Sequence, residues 1–240
     1  MVVADAAGER AVAIPAGFSS LPGILAWPTR PSGIVLFAHG SGSGRLSPRN
    51  LAIARQLRAA GMATLLFDLL TEEEAPLRSN VFDIGLLASR LRVATEWIVG
   101  QPEAAGLPIG YFGASTGAGA ALRAAAESAT PIGAVVSRGG RPDLAGECLP
   151  WVRAATLLIV GSGDQEVLQL NRRAFALLSC PKRLVVIPGA GHLFEEPGTL
   201  EAAGRCAAEW FVLHLVTAKG PAAHGTAASA RRSPFNRPTE

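Results

Sequence analysis

The pentapeptide Gly113-Ala114-Ser115-Thr116-Gly117 fits the pattern G-x-S-x-G. Small residues two before and two after the serine permit a tight strand-to-helix turn that lifts the hydroxyl above the edge of a sheet. At the start of a helix the serine also meets free backbone amides, which favour developing negative charge. A serine hydroxyl attacks a carbonyl only when a base takes its proton, so the chemistry needs a histidine from elsewhere in the chain. Among His39, His192, His214 and His224 the candidate base is His192, in the loop Gly189-Ala190-Gly191-His192 that follows the apolar run ending at Ile187. His214 stands among Phe211, Leu213 and Leu215, where a packing or surface role is simpler, and His224 lies far down the C-terminal tail. An imidazole acting as base needs an acid to fix its tautomer and stabilise the imidazolium. Asp164, after Ile159-Val160-Gly161-Ser162-Gly163, is that candidate; its competing role is to cap the helix that follows.

Acyl chemistry also needs donors for the oxyanion, normally two backbone amides. One is the amide of Thr116, directly after the serine, and the other is assigned to Ser41 in His39-Gly40-Ser41-Gly42-Ser43-Gly44. His39 is expected to orient this loop. Arg138, in Ser137-Arg138-Gly139-Gly140-Arg141, falls at the carboxyl end of an apolar run, where ligands of open α/β sheets bind. There a guanidinium can take a substrate carboxylate in a bidentate pair. The simpler expectation is that Arg138 pairs with Asp143 or with one of Glu72 to Glu74.

These residues must be carried by elements, and the punctuation of the chain supplies them. Gly33 to Ala38, Ala63 to Phe67, Ile109 to Phe112, Ile132 to Val136, Thr156 to Val160 and Arg183 to Ile187 are short apolar runs of strand length. Between them lie helical patterns. Ser47 and Pro48 read as N-cap and first residue of one that Gly61 closes, and others run from Val81 to Val99, Thr116 to Ser128, Val167 to Leu178 and Leu200 to Val216. Strand and helix alternating at this spacing predict βαβ units, and so a mostly parallel, twisted sheet with helices on both faces. Arg10 to Ile14 and Gly23 to Trp27 are expected to pair antiparallel at one edge.

Nucleophile, acid and base in the order Ser115, Asp164, His192, with the glycine-rich loop before them, resemble the α/β-hydrolase superfamily. The compact form is similar to its dienelactone-hydrolase-like branch, over about Gly33 to Leu215. That resemblance implies a serine hydrolase for small carboxylic esters or lactones, working through an acyl-enzyme without cofactor or metal. Dienelactone hydrolases proper carry cysteine where this chain has Ser115, and the loop Gly40 to Gly44 departs from the HGGG form of many lipases. Some bacterial relatives of the branch are joined to a phosphoribosyltransferase domain; none is read in this chain. Lids in the superfamily are usually inserted before the strand that bears the acid. Here only Gly139 to Ala154 spans that gap, so no inserted lid domain and a preference for short acyl chains are expected. Thr71 to Glu74, following a strand end, is the other candidate wall of the site, with a solvated acidic loop as the simpler expectation.

Composition bounds the rest. With 240 residues, 49% hydrophobic and 17% charged, the chain has enough apolar material for one core, assigned to residues 1–217. Residues 218–240 mix Gly, Ala, Ser, Pro and Arg without period and read as a disordered tail. That tail carries Lys219, Arg231, Arg232 and Arg237 against Glu240, which is the whole net charge of +3. The body is therefore neutral and lacks the basic footprint of a nucleic-acid binder. No apolar run approaches the roughly 18 residues of a membrane span. Cys148, Cys180 and Cys206 are too few and too scattered for a disulfide framework or a zinc site. Asp5 and Glu9 stand where a secretory signal is basic, so the reducing cytoplasm is the expected compartment. Three rival functions are weighed against the hydrolase. A dinucleotide site would need glycine where Arg45 stands in the series Gly40, Gly42, Gly44. An inactive interaction protein on the same fold would have no need of a filled triad. A perhydrolase or acyltransferase would use the same acyl-enzyme with a different attacking group.

Overall fold

A computed structural model describes residues 8–216. The tail assigned to residues 218–240 lies outside the described residues, as does His224. In chain order the elements are β1 (Gly8–Ala16), β2 (Ser19–Trp27), β3 (Gly33–Ala38), α1 (Pro48–Ala59), β4 (Met62–Phe67), the single turn α2 (Arg78–Val81), α3 (Ile84–Val99), β5 (Ile109–Ala114), α4 (Thr116–Glu127), β6 (Ile132–Arg138), β7 (Ala155–Gly161), α5 (Gln165–Leu177), β8 (Lys182–Ile187) and α6 (Thr199–Phe211). A final π-helical turn, Val212–Val216, extends α6. One eight-stranded sheet runs in the order β1-β2-β4-β3-β5-β6-β7-β8. β1 pairs antiparallel with β2 and β2 antiparallel with β4; β4 through β8 run parallel.

Successive side chains of a strand face opposite sides of the sheet. Along β3, Ile34 and Leu36 enter the core beneath α3, α4 and α5, whereas Val35 and Phe37 enter the core beneath α1 and α6. Both sets are almost wholly buried, which is why the central strands read as unbroken apolar runs. α1 starts where its cap does: the Ser47 hydroxyl accepts from the Asn50 N–H, and Pro48 takes the first helical position. The helix expected from Val81 begins later, at Ile84, because the Asp83 carboxylate accepts the Leu86 N–H at 2.9 Å and starts a new helix there; α2 precedes it as a separate turn. The edge pair forms in the expected sense and is longer than expected, with Gly17 at φ +69° in its turn.

The described residues carry no inserted lid domain. The segment between β6 and β7 folds as 3₁₀ turns over Pro142–Trp151, broken at Gly146 and packed on α4 and α5. Chain connections leave the sheet in opposite directions from β3 and from β5, so the carboxyl ends of these neighbours form the crevice typical of a doubly wound sheet. Register keeps the ends level: Ala38 lies beside Gly113, Ala114 beside Arg138, Arg138 beside Ile159 and Gly161 beside Ile187.

Candidate active site

Ser115 sits between β5 and α4 at φ 50°, a left-handed conformation that a residue with a side chain adopts only under constraint. Such strain costs on the order of 1–3 kcal/mol and persists where the surroundings impose it. Two glycines make room for it. A Cβ on Gly113 would stand 2.5 Å from Ala118 Cα, and one on Gly117 would stand 2.1 Å from the Ala38 carbonyl oxygen. Hydrogen bonds hold the turn from outside: the Ser115 carbonyl accepts from Arg141 N–H at 2.9 Å and from Ala118 N–H at 3.1 Å.

Asp164 and His192 arrive from the loops after β7 and β8, beyond β6 along the edge. The loops after β7 and β8 are stapled together: Gly163 N–H donates to the Ala190 carbonyl, Gly189 N–H donates to Ser162 Oγ, and Gly161 leaves no space for a Cβ beside Ala190. His192 Nδ1 lies 2.6 Å from Asp164 Oδ2. Asp164 precedes α5 without using its side chain as a cap, so the structure shows the histidine contact and not the capping role. The Glu196 carboxyl is held below its ordinary range mainly by backbone N–H donors, that of Gly191 first, which ties down the loop bearing His192.

Ser115 and His192 line one cavity of about 240 Å³, together with Ser41, Arg49, Asn50 and Arg138. The structure thus brings Ser115, His192, Ser41 and Arg138 to one space, with Asp164 behind the imidazole and Thr116 beside Ser115. The loop Gly40–Gly44 is fixed from several sides. His39, nearly buried, has Nδ1 3.0 Å from the Gly40 carbonyl and accepts the Leu69 N–H at Nε2, so it carries its proton on Nδ1. Burial lowers its pKa, with the Gly40 carbonyl and Asp68 opposing. Asp68 accepts the Arg45 N–H at 2.6 Å and pairs with the same residue's guanidinium. The Ser41 N–H donates to Thr116 Oγ1 at 3.0 Å.

Arg138 differs from the simpler expectation. Asp143 is taken by Arg141 at 2.8 Å and Glu74 by Arg90 at 2.5 Å, and among the described residues no carboxylate pairs with Arg138. Only 6% of Arg138 is exposed, and Nε and Nη1 have no hydrogen-bond partner. Its guanidinium carbon stands 5.6 Å from the centre of the Phe194 ring. Burial, and secondarily Arg49, pull its pKa down to about 10, so it remains a cation at neutral pH. Thr71 to Glu74 is less solvated than expected: Thr71 is buried and Glu74 is bridged to α3 through Arg90. With Leu70, Val81 and Leu87, Thr71 and Glu72 line a second cavity of about 350 Å³ on the far side of the Gly40–Ser43 turn.

Sequence reasoning did not single out Arg49, Asn50, Phe194 or the Thr116 hydroxyl. The available signal for the first two was their place directly behind the Ser47 cap, in the first turn after the oxyanion loop. His214 packs on Trp210 as its neighbours suggested, with ring centres 4.2 Å apart. No three His, Cys, Asp or Glu side chains converge as metal ligands among the described residues. No helix there is long and apolar enough to cross a membrane.

A dienelactone hydrolase from Anabaena variabilis shares 56% sequence identity and a TM-score of 0.84 with the chain, over 87% of this chain and 99% of that one. The chain belongs to the dienelactone-hydrolase-like branch of the α/β-hydrolases. At greater distance within the same fold, Est1E from Butyrivibrio proteoclasticus matches with a TM-score of 0.74 at 14% identity, over 85% of this chain and 98% of that one. No family model matches the sequence. A Mycobacterium tuberculosis protein provisionally named a phosphoribosyl transferase is 59% identical over 207 residues, 86% of this chain. The chain spans about half of that relative, 47% of its length.

Proposed function

We propose that the protein is a serine hydrolase of small carboxylic esters or lactones. Ser115 Oγ attacks the carbonyl carbon and gives its proton to His192 Nε2. Asp164, at Nδ1, holds the imidazole in the tautomer that leaves Nε2 free to accept and stabilises the imidazolium. The amides of Ser41 and Thr116 receive the oxyanion. His192 then protonates the leaving alcohol, and a water deprotonated by the same imidazole releases the acid. The observation that carries this reading is the 2.6 Å contact of Asp164 with Nδ1 of His192, a histidine that lines one cavity with Ser115.

Arg138 extends the reading to the substrate. A buried cation without a carboxylate partner is costly, and an anionic group on the substrate offsets that cost at the moment of binding. We assign Arg138 to a substrate carboxylate, a few side chains away from the reacting carbonyl. The phosphoribosyl transferase name belongs to a protein about twice as long, of which this chain spans 47%. An inactive binding protein is disfavoured because the strained Ser115 turn and the His192–Asp164 pair are both intact.

Rapid mixing with a chromogenic acetate ester tests the proposal. An initial burst of one leaving group per chain, then slower turnover, is the outcome expected of an acyl-enzyme. Absence of turnover on acetate, lactone and carboxylate-bearing esters alike would refute it. Added chelator should leave the rate unchanged.

A further inference from the structure

The turn Gly40–Ser43 is closed by Ser43 N–H donating to the Gly40 carbonyl at 3.2 Å, with Gly42 at φ +69°, the arrangement of a type II turn. The carbonyl end of the Gly40–Ser41 peptide is held by His39 Nδ1–H at 3.0 Å and by Ser43 N–H at 3.2 Å, while the glycines on both sides of Ser41 let the peptide tilt about those bonds. Such a tilt would turn the Ser41 N–H out of the site. A third bond, to a residue 75 positions away, acts on the N–H itself: its acceptor is Thr116 Oγ1 at 3.0 Å. Thr116 is 5% exposed, opens α4 and lines the larger cavity beside Ser41, and its own amide, next to Ser115 in the chain, is a free helix N-terminal donor.

We propose that the Thr116 hydroxyl is a positioning group for the oxyanion hole: accepting the Ser41 N–H, it holds that amide beside the Thr116 amide, so both donors are aimed before a carbonyl arrives. The proposal rests on the serine-hydrolase reading above. Donors fixed in advance need no reorganisation as charge develops, which is the source of their catalytic effect. A β-branched side chain with few χ1 options suits the task better than a freely turning hydroxyl. Hydrogen bonds to a charged acceptor are roughly twice as strong as those between neutral groups. Without changing direction, the Ser41 N–H is shared between the hydroxyl and the oxyanion in the transition state, where the charged acceptor takes the larger part, so the resting bond does not block the reaction.

Thr116→Val removes the hydroxyl while keeping the branched shape. It should lower kcat for a chromogenic acetate ester about tenfold at unchanged KM, and Thr116→Ser should recover most of the loss. Ser41 occupies the turn position that accepts proline in a type II turn, so Ser41→Pro removes the donor and keeps the backbone. In that background Thr116→Val should add nothing. Wild-type or raised kcat in Thr116→Val overturns the proposal, as does an undiminished loss on top of Ser41→Pro. Should Thr116→Val fold poorly by thermal melting, Thr116→Ala with and without Ser41→Pro gives the same decision. A wild type that no fluorophosphonate labels at Ser115 sinks the hydrolase reading with it; labelled wild type with an unaffected Val variant sinks only this inference.

Discussion

Two cavities meet at the Gly40–Ser43 turn, and they differ in kind. One holds Ser115, His192, Arg49 and Arg138, polar groups that make and receive charge. The other is walled by Pro22, Leu70, Val81 and Leu87, with an acidic residue, Glu72, at its rim. The residues of the first are fixed by glycine contacts and backbone bonds between strand ends; the second is walled by the connection from β4 to α3, held through Arg90 and Glu74. Under the proposed function, bond cleavage and anion recognition would fall on one side of the Gly40–Ser43 turn and selection of an apolar group on the other.

The largest effects should fall on the polar side. Ser115→Ala and His192→Ala should each lower kcat on the order of 10³-fold or more, and the double variant should be little worse than either, because triad members act as a unit. Steady-state kinetics of the three variants decide it; losses that multiply would contradict the shared role. Next, Arg138→Met should raise KM for a carboxylate-bearing ester about tenfold, or about 1.4 kcal/mol, and leave a neutral ester of similar size unaffected. Equal losses on both esters would make Arg138 part of the scaffold.

On the apolar side the effect should be on choice rather than rate. Among acetate, butyrate and palmitate esters of one alcohol the short ones should be preferred, and Leu70→Phe should cut butyrate several-fold while sparing acetate. A rate rising steadily to palmitate would show that the walls do not limit chain length. The smallest effect concerns the hinge between the cavities. Burial lowers the His39 pKa, so below about pH 6.5 the unfolded chain binds a proton that the folded one resists, and stability falls as pH drops. Between pH 7.5 and 5.5 the melting temperature of wild type should therefore fall more than that of His39→Gln; equal falls would mean that the ring is indifferent to its charge.

What could be read from the chain was what local spacing dictates. Strands and helices followed from apolar runs and caps, and the Ser115 turn from glycines two residues away on each side. Helix α3 was misplaced at its start because Val81 and Phe82 continue the apolar pattern, while the Asp83 cap that interrupts it is a single side-chain bond. Long-range pairing was illegible. Asp143 sits close to both Arg138 and Arg141 in sequence, and only the fold shows that Arg141 takes it. The bond from Ser41 to Thr116 joins two loops that no local pattern connects.

The central claim is that Ser115 is the nucleophile that His192 activates. Incubation of the full chain with a fluorophosphonate, followed by peptide mass spectrometry, tests it directly. One adduct per chain, located on Ser115 and formed far more slowly in His192→Ala, is the expected result. An unmodified Ser115, or an adduct on another residue with the ester hydrolysis rate lost in parallel, would contradict it.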